Sequence, residues 1–455
     1  MRRIRHRKGV TLILCIIFLT VFLALGVSMA TISGTNVQLS ANQRRASRAL
    51  EGAESGLEVI RYWLSHVMMD ATTPPSDYLQ TIVNQVKLDF QTKNATNMKL
   101  ATDGVLQAVS IDSANGQSFS AQLNMNVSNP SILDVTVTGM CEGMERTIHV
   151  GFNIAPYNHP IFKYGLATKG PIQFLNNPTT TTMTSNWEAD IYTESSSSVV
   201  AVQVGGNTSF AGDINIANPS ATVDFAGDVQ IGGDTGQAAI DNHVSIGVEP
   251  VEFPAADTSR FTTYATGPLV DPATMDLTKG LTLTNATIPA GTNPTFDGTV
   301  NIEGVLLVEQ PNVVTFNRNV ELRGIIVGEN GLYSASNNRI NIAGNFASLP
   351  LPSDSQFDAL RQEEGSSIIV PDFEVSFTGN YSAIEGVVAA GTLHFSGNAS
   401  AVIKGSLISF SENPTVVEGN VSLTFDRANS VEIPAGFDTK RVLAYNPSTY
   451  AMVTN

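Results

Sequence analysis

The sequence predicts an α+β N-terminal part, one long transmembrane helix with a small antiparallel sheet, followed by a mainly-β body built as a parallel β-solenoid. Three observations carry this: an uncharged apolar run near the N-terminus, a proline-free helical continuation of it, and short β-patterned runs that recur after residue 156. At 455 residues the chain is too long for one compact core, so several units or one elongated repetitive body is expected.

Residues 10–32, VTLILCIIFLTVFLALGVSMATI, carry no charge, and at about 1.5 Å per residue they match the hydrocarbon thickness of a bilayer. The cluster RRIRHRK before them, in a basic leader at residues 1–9, places the N-terminus in the cytoplasm and the chain after about Ser33 outside. A cleaved secretory signal is the competing reading, since Ser28, Met29 and Ala30 form a small-x-small site, although the apolar region is long for one.

Charge is polarised along the chain. The net charge is −16, yet residues 1–61 hold nine basic and three acidic side chains, leaving 16 basic against 38 acidic in the other 394 residues. Such a body is a poor partner for nucleic acid. Cys15 and Cys141 are the only cysteines, which excludes a disulfide framework, and no small-residue lipobox precedes Cys15 to make it a lipid attachment site.

Residues 33–69 read as a continuation of the same helix. Ala46, Leu50, Ala53, Leu57, Ile60 and Leu64 recur at three- and four-residue spacing and give it one face for packing, with Glu51, Glu54 and Glu58 in water. Gly52 and Gly56 are its weak points.

The leader ends in Lys8-Gly9, followed by Val10-Thr11-Leu12-Ile13 and then by Arg48-Ala49-Leu50-Glu51-Gly52-Ala53-Glu54-Ser55-Gly56-Leu57-Glu58. Over about the first 65 residues the chain resembles type IV pilin-like subunits, above all the PilX-type N-terminal region and the K-type minor pseudopilins. The resemblance implies cleavage by a prepilin peptidase between Gly9 and Val10, other pilin-like subunits as partners, and a place in a bacterial inner membrane or a surface filament. Major pilins carry a glutamate at the fifth residue after the cut; Leu14 stands there, which favours a minor subunit. A carboxylate at such a depth is costly unless paired.

Residues 70–155 read as a small αβ head, with a helix at 77–90 and strands near 105–112, 119–128, 131–139 and 145–154. After Pro156 and Pro160 the composition shifts to Gly, Asn, Thr, Val and Ile, and a repetitive body runs over 156–430, with a tail at 431–455. VNIEG at 300–304, VELRG at 320–324 and INIAG at 340–344 repeat every 20 residues, as do Phe296 and Phe316. Further sets are VSFTGN at 375–380 with LHFSGN at 393–398; IEG at 384–386 with IKG at 403–405 and VEG at 417–419; and FAGD at 210–213 and 225–228. Short strands ended by Gly-Asp or Gly-Asn turns suit stacked parallel coils; an antiparallel sandwich is the rival. Residues 353–364 read as a helical insertion.

Chemistry is sparse in this pattern. Asp354 and Asp358 are spaced for one helix face and Asp372 and Glu374 for one strand face, both ordinary solvated arrangements, with no arginine or histidine near the second pair in sequence. His149, His159, His243 and His394 lack metal-ligand spacing, and phosphate-binding, dinucleotide and nucleophile-elbow motifs are absent. No catalytic, cofactor or metal residue is assigned. The reading is a structural minor subunit with an exported body; the alternatives are a membrane-anchored glycan-binding adhesin and, behind it, a glycan-active enzyme.

Overall fold

The computed structural model describes residues 8–453 except Leu332, Asn380, Tyr381 and Ala399, so most of the leader lies outside the described residues. The chain forms two compact units: Met1–Ala155 together with Lys440–Asn455, and Pro156–Thr439.

In the first unit a single helix, α1, runs over Lys8–Leu64, 57 residues, or about 85 Å. Every side chain from residue 10 to residue 40 is exposed, including the whole apolar run. The hydroxyls of Thr20, Thr31 and Thr35 donate to the carbonyls of Ile16, Val27 and Thr31 at 3.0, 2.7 and 2.8 Å, so the helix satisfies its own polar side chains there. From Ala49 onward one face is buried: Ala53, Leu57, Ile60 and Leu64 as the spacing predicts, and Ala49, Gly52, Gly56 and Trp63 beside them. Ala46 and Leu50 are half-buried, and the three glutamates are exposed.

That face packs on a six-stranded sheet made of β1 (Met68–Asp70), β2 (Val105–Asp112), β3 (Gln117–Met125), β4 (Ile132–Cys141), β5 (Met144–Pro156) and a C-terminal strand, Lys440–Val453. The order is β1, C-terminal strand, β5, β4, β3, β2. A second helix, α2 (Tyr78–Thr92), buries Ile82, Val83, Val86 and Phe90, with Phe90 edge-on to Trp63 at 4.9 Å.

Gly52 and Gly56 do not act as weak points. A Cβ on Gly56 would stand 2.5 Å from the Phe119 ring, and one on Gly139 of β4 would stand 2.0 Å from the Ala49 carbonyl oxygen. Gly139 lets the sheet approach the helix to backbone contact, and Gly56 makes room on the helix for the Phe119 ring.

Residues 431–455, read from sequence as a tail, supply the strand Lys440–Val453 to this sheet. Leu443 is buried, Tyr445 lies edge-on to Phe152 at 5.5 Å, and the Arg61 guanidinium sits 4.8 Å over the Tyr445 ring. The second unit is therefore an insertion, in connectivity, between β5 and the last strand of the first.

The second unit is a stack of coils. In its opening segment the strands Leu166–Thr168, Ile191–Thr193, Ile214–Ile216 and Val244–Ile246 pair in parallel on one side. Ile172–Asn176, Val200–Gly205 and Thr222–Ala226 pair on a second; Thr179–Thr182, Thr208–Phe210 and Val229–Ile231 pair on a third. Parallel pairing between successive turns of chain excludes the antiparallel sandwich. Inward side chains form one continuous core, in which Phe296 stacks on Phe316 and Phe377 on Phe395, each pair at 5.0 Å with rings nearly parallel.

The repeats are borne out only in part. Val300–Val308 pairs with Val320–Gly328 at an offset of 20, with Gly304 opposite Gly324, and Phe296 lies opposite Phe316. INIAG, however, sits opposite the strand Asn312–Phe316, with Ile340 against Val314 and Ile342 against Phe316, because the chain between Gly328 and Asn338 lengthens that coil. Likewise Phe210 pairs with Ile231 and not with Phe225, and Val417 pairs with Phe395 while Ile384 pairs with Ile403. An apolar run followed by Gly marks any corner of a coil, so its recurrence does not identify which corner.

Stacking order also departs from chain order. The last coil, Leu407–Ser409, Thr415–Gly419 and Ser422–Phe425, pairs in parallel with the opening strands Leu166–Thr168, Ile172–Asn176 and Thr179–Thr182. The stack therefore runs from residue 281 to 425 and then from 166 to 246, and residues 247–265 return along its outside. That return segment places Val251, Phe253 and Phe261 in a second apolar cluster with outward Tyr192, Ile325, Ile369 and Ile408. Both ends of the stack are covered, one by the short helix Gln237–His243, which buries Ala239, and the other by the backbone of residues 267–277 bonded to Asn285, Thr287 and Asp297. The expected helix at 353–364 is instead two single 3-10 turns, Ser355–Phe357 and Leu360–Gln362; their three-residue pitch buries both Phe357 and Leu360.

The seam between last and opening coils is latched by Arg427, which is 3% exposed. Its guanidinium donates to the carbonyls of Lys163 and Glu188 at 3.0 and 3.1 Å and to that of Phe162, and its backbone N–H donates to the Glu188 carboxylate at 3.4 Å. Burial pushes Arg427 down to about 10, and pushes the neighbouring Asp190 up to about 6 from 3.8 despite a 2.9 Å hydrogen bond from the Asp213 N–H.

Three outcomes follow from this packing. Trp63 reports on the first unit and Trp187 on the second, so each is followed with the other replaced by Phe. Gly139→Ala lowers the stability seen by Trp63 by about 2 kcal/mol or more through overpacking. Arg427→Leu lowers that seen by Trp187 by about 3 kcal/mol or more, since it leaves the carbonyls of Phe162, Lys163 and Glu188 without their donor and removes the positive charge beside the buried Glu188 carboxylate; urea unfolding unchanged at either probe contradicts the corresponding packing. For Asp190 the folded state favours the neutral acid, so its contribution is fully present below about pH 4 and is lost as pH rises through about 6. Relative to wild type, Asp190→Asn gains urea resistance as pH is raised across that window; a pH-independent difference contradicts the burial of its charge.

Candidate functional site

The structure places Gly9 and Val10, the pair expected to flank a processing cut, in the first turn of α1, and Leu14 about one turn further on. Leu14 is 51% exposed within the apolar segment. Among the described residues one helix, Val10–Leu64, is long and apolar enough to cross a membrane, and its most apolar window has no side chain buried by the protein itself. The physical contrast along α1 is the site's main property: the first half presents apolar side chains on all sides, whereas the second half buries one face on its own sheet.

The carboxylates singled out in the sequence do not converge. Asp354 precedes the first 3-10 turn and is exposed, and Asp358 pairs with Arg361, whose guanidinium also bonds the Asp354 carbonyl. Glu374 lies 3.1 Å from Arg339 on the neighbouring strand, its register partner, a pairing hidden in the sequence because the two are brought together only by the coil. Asp372 accepts from the Gly331 N–H at 2.7 Å.

The histidines are likewise dispersed. His149 stands 3.7 Å from Asp134, His394 3.2 Å from Glu418, and His243 between Asp213 and Asp234 at 2.7 and 3.5 Å. His159 is buried, and desolvation lowers its pKa, with nearby Glu252 opposing. No cluster of His, Cys, Asp or Glu among the described residues could hold a metal ion.

Two of the clefts on the second unit have ionisable side chains close to the residues singled out above. One, of about 450 Å³, has Glu363, Glu385 and Lys404 in its wall, but these side chains are committed to ion pairs, Glu385 with Lys404 at 2.8 Å and Glu363 with Arg260 at 2.7 Å. The other, of about 400 Å³, is walled by Phe253 from the return segment, Tyr333 from the long turn after Gly328, and Phe410 after the strand Leu407–Ser409. Lys169, Glu252, Asp372 and Ser411 stand among these rings. Sequence reasoning missed this cleft because its members are spread from residue 169 to residue 411, and only Asp372 had been singled out.

Residues 8–58 match the family model described as PilX N-terminal. Among solved structures the chain is similar to the competence-associated pilin ComZ from Thermus thermophilus, at 13% identity, covering 90% of this chain and 97% of that one, with a TM-score of 0.27. So weak a superposition carries no argument, and no curated protein matches. What remains is the N-terminal match, which lies within α1: over residues 8–58 this chain is similar to the PilX N-terminal family.

Proposed function

We propose that the chain is a minor subunit of a type IV pilus or a secretion pseudopilus, with a structural role in assembly or surface contact and no catalytic one. The observation that supports it best is the division of α1. Its apolar half, exposed on every side from residue 10, requires lipid or the helices of neighbouring subunits around it, while its other half is already satisfied by its own sheet. Leu14 lacks the charge that a main filament component would carry there, and an inserted body of the size of Pro156–Thr439 would crowd a filament that bore one on every subunit.

On this reading a prepilin peptidase cuts between Gly9 and Val10, the helix holds the chain in the bacterial inner membrane or in the filament, and the chain after the apolar segment lies on the extracytoplasmic side. Partners are the membrane and other pilin-like subunits.

Intact-mass and terminal-peptide mass spectrometry of the protein recovered from membranes tests it. The expected mature chain begins at Val10, N-methylated. A start at Thr31 marks an ordinary secreted protein, and an intact Met1 marks a simple membrane anchor; either result overturns the subunit reading.

A further inference from the structure

The aromatic cleft of the second unit has the features of a ligand site that nothing else in the fold uses. Its volume, about 400 Å³, lies within the roughly 300–1,000 Å³ of small-molecule sites. Its three rings are only half-buried, and Phe253 and Tyr333 are held in place by their neighbours. Phe253 lies 6.1 Å from the fully buried Tyr192 and 6.1 Å from Phe410. Tyr333 rests on Gly391, where a Cβ would come within 2.2 Å of the ring, and its hydroxyl is tied to Thr392 at 2.6 Å and to the Asn413 amide at 3.3 Å. Thr392 is joined in turn to Ser411 at 2.8 Å. The walls are thus preorganised, which reduces the ordering cost of binding.

The polar groups are less committed than the rings. Lys169 sits 5.4 Å over the Phe253 ring and forms no ion pair among the described residues. Asp372 bonds the Gly331 N–H through Oδ2 and has a second oxygen for another donor. The Glu252 side chain is exposed at the rim. Donors and acceptors therefore alternate with flat apolar faces around one cavity.

A pyranose ring presents the reverse of this: apolar C–H faces above and below, and a rim of hydroxyls that each donate and accept. Cationic ligands are disfavoured because Lys169 already occupies a face of Phe253. Polyanionic ligands are disfavoured by Glu252 and Asp372 and by the acidic body as a whole.

We propose that this cleft binds a short stretch of neutral glycan. The inference deepens the surface-contact role above and rests on it for one point only, that the body is exported to where glycans are found.

The test uses the full chain in nanodiscs, free of sugar-based detergent, with cellotetraose, chitotetraose and tri-galacturonate as probes in saturation-transfer NMR and surface plasmon resonance. Expected is binding of at least one neutral probe, weakened about tenfold or more by Asp372→Asn and by Phe253→Ala, with Thr181→Ala on a distant strand as a control that binds as wild type does. Because Phe253 packs on Tyr192, its variant counts only if the Trp187 unfolding transition is unchanged; Asp372→Asn decides otherwise. Failure of both neutral probes to bind, equal binding by wild type and Asp372→Asn, or preference for tri-galacturonate overturns the proposal. A chain that begins at Val10 and binds neither neutral probe sinks the cleft alone, whereas glycan binding by a chain that begins at Met1 sinks the subunit reading alone.

Discussion

Parallel pairing of residues 407–425 with residues 166–182 is the contact on which the second unit depends. Without it the stack would divide into two pieces, each with an open edge of unpaired backbone groups in addition to its covered end. With it, the core runs unbroken from the coil at residue 281 to the one at residue 244. Arg427, which follows the last coil, lies at this seam because its guanidinium can bond several carbonyls of the opening segment at once, and the acidic neighbours Glu188 and Asp190 offset part of its desolvation. The return segment 247–265 is a consequence: a chain that stacks its first coils last must travel back, and it does so over the apolar outer side of the coils.

The first unit obeys a different constraint. One helix serves two environments, and the change between them falls near residue 41, where side chains first lose exposure. Small residues on the helix and Gly139 on the sheet set the approach, and the larger Leu57, Ile60, Trp63 and Leu64 then fill the wider end against α2. The sheet itself is completed only when the chain returns from the inserted unit at Lys440.

Much of this was legible residue by residue. The charge-free run, the buried stripe from Ala53 to Leu64, the helix near 78–92 and four strands of the first sheet follow from periodicity, because each depends on neighbours three, four or two positions away. Phe296 and Phe316, and Gly304 and Gly324, were correctly paired since an uninterrupted coil keeps its length. INIAG was not, since six extra residues of turn moved it to another side of the coil, and a five-residue motif carries no record of that.

The sequence by itself determined the type of most elements before residue 156, the direction of the charge along the chain, and the likeness of residues 8–58 to the PilX N-terminal family, all of them local properties of composition and spacing. Tertiary structure alone decided that the last strand belongs to the first sheet, that the final coil stacks on the opening one, that Arg339 meets Glu374, and that Phe253, Tyr333 and Phe410 share a cleft. These are contacts between residues far apart in the chain, selected by which edges and apolar faces remain uncovered once the local elements have formed, and no short window of sequence contains that information.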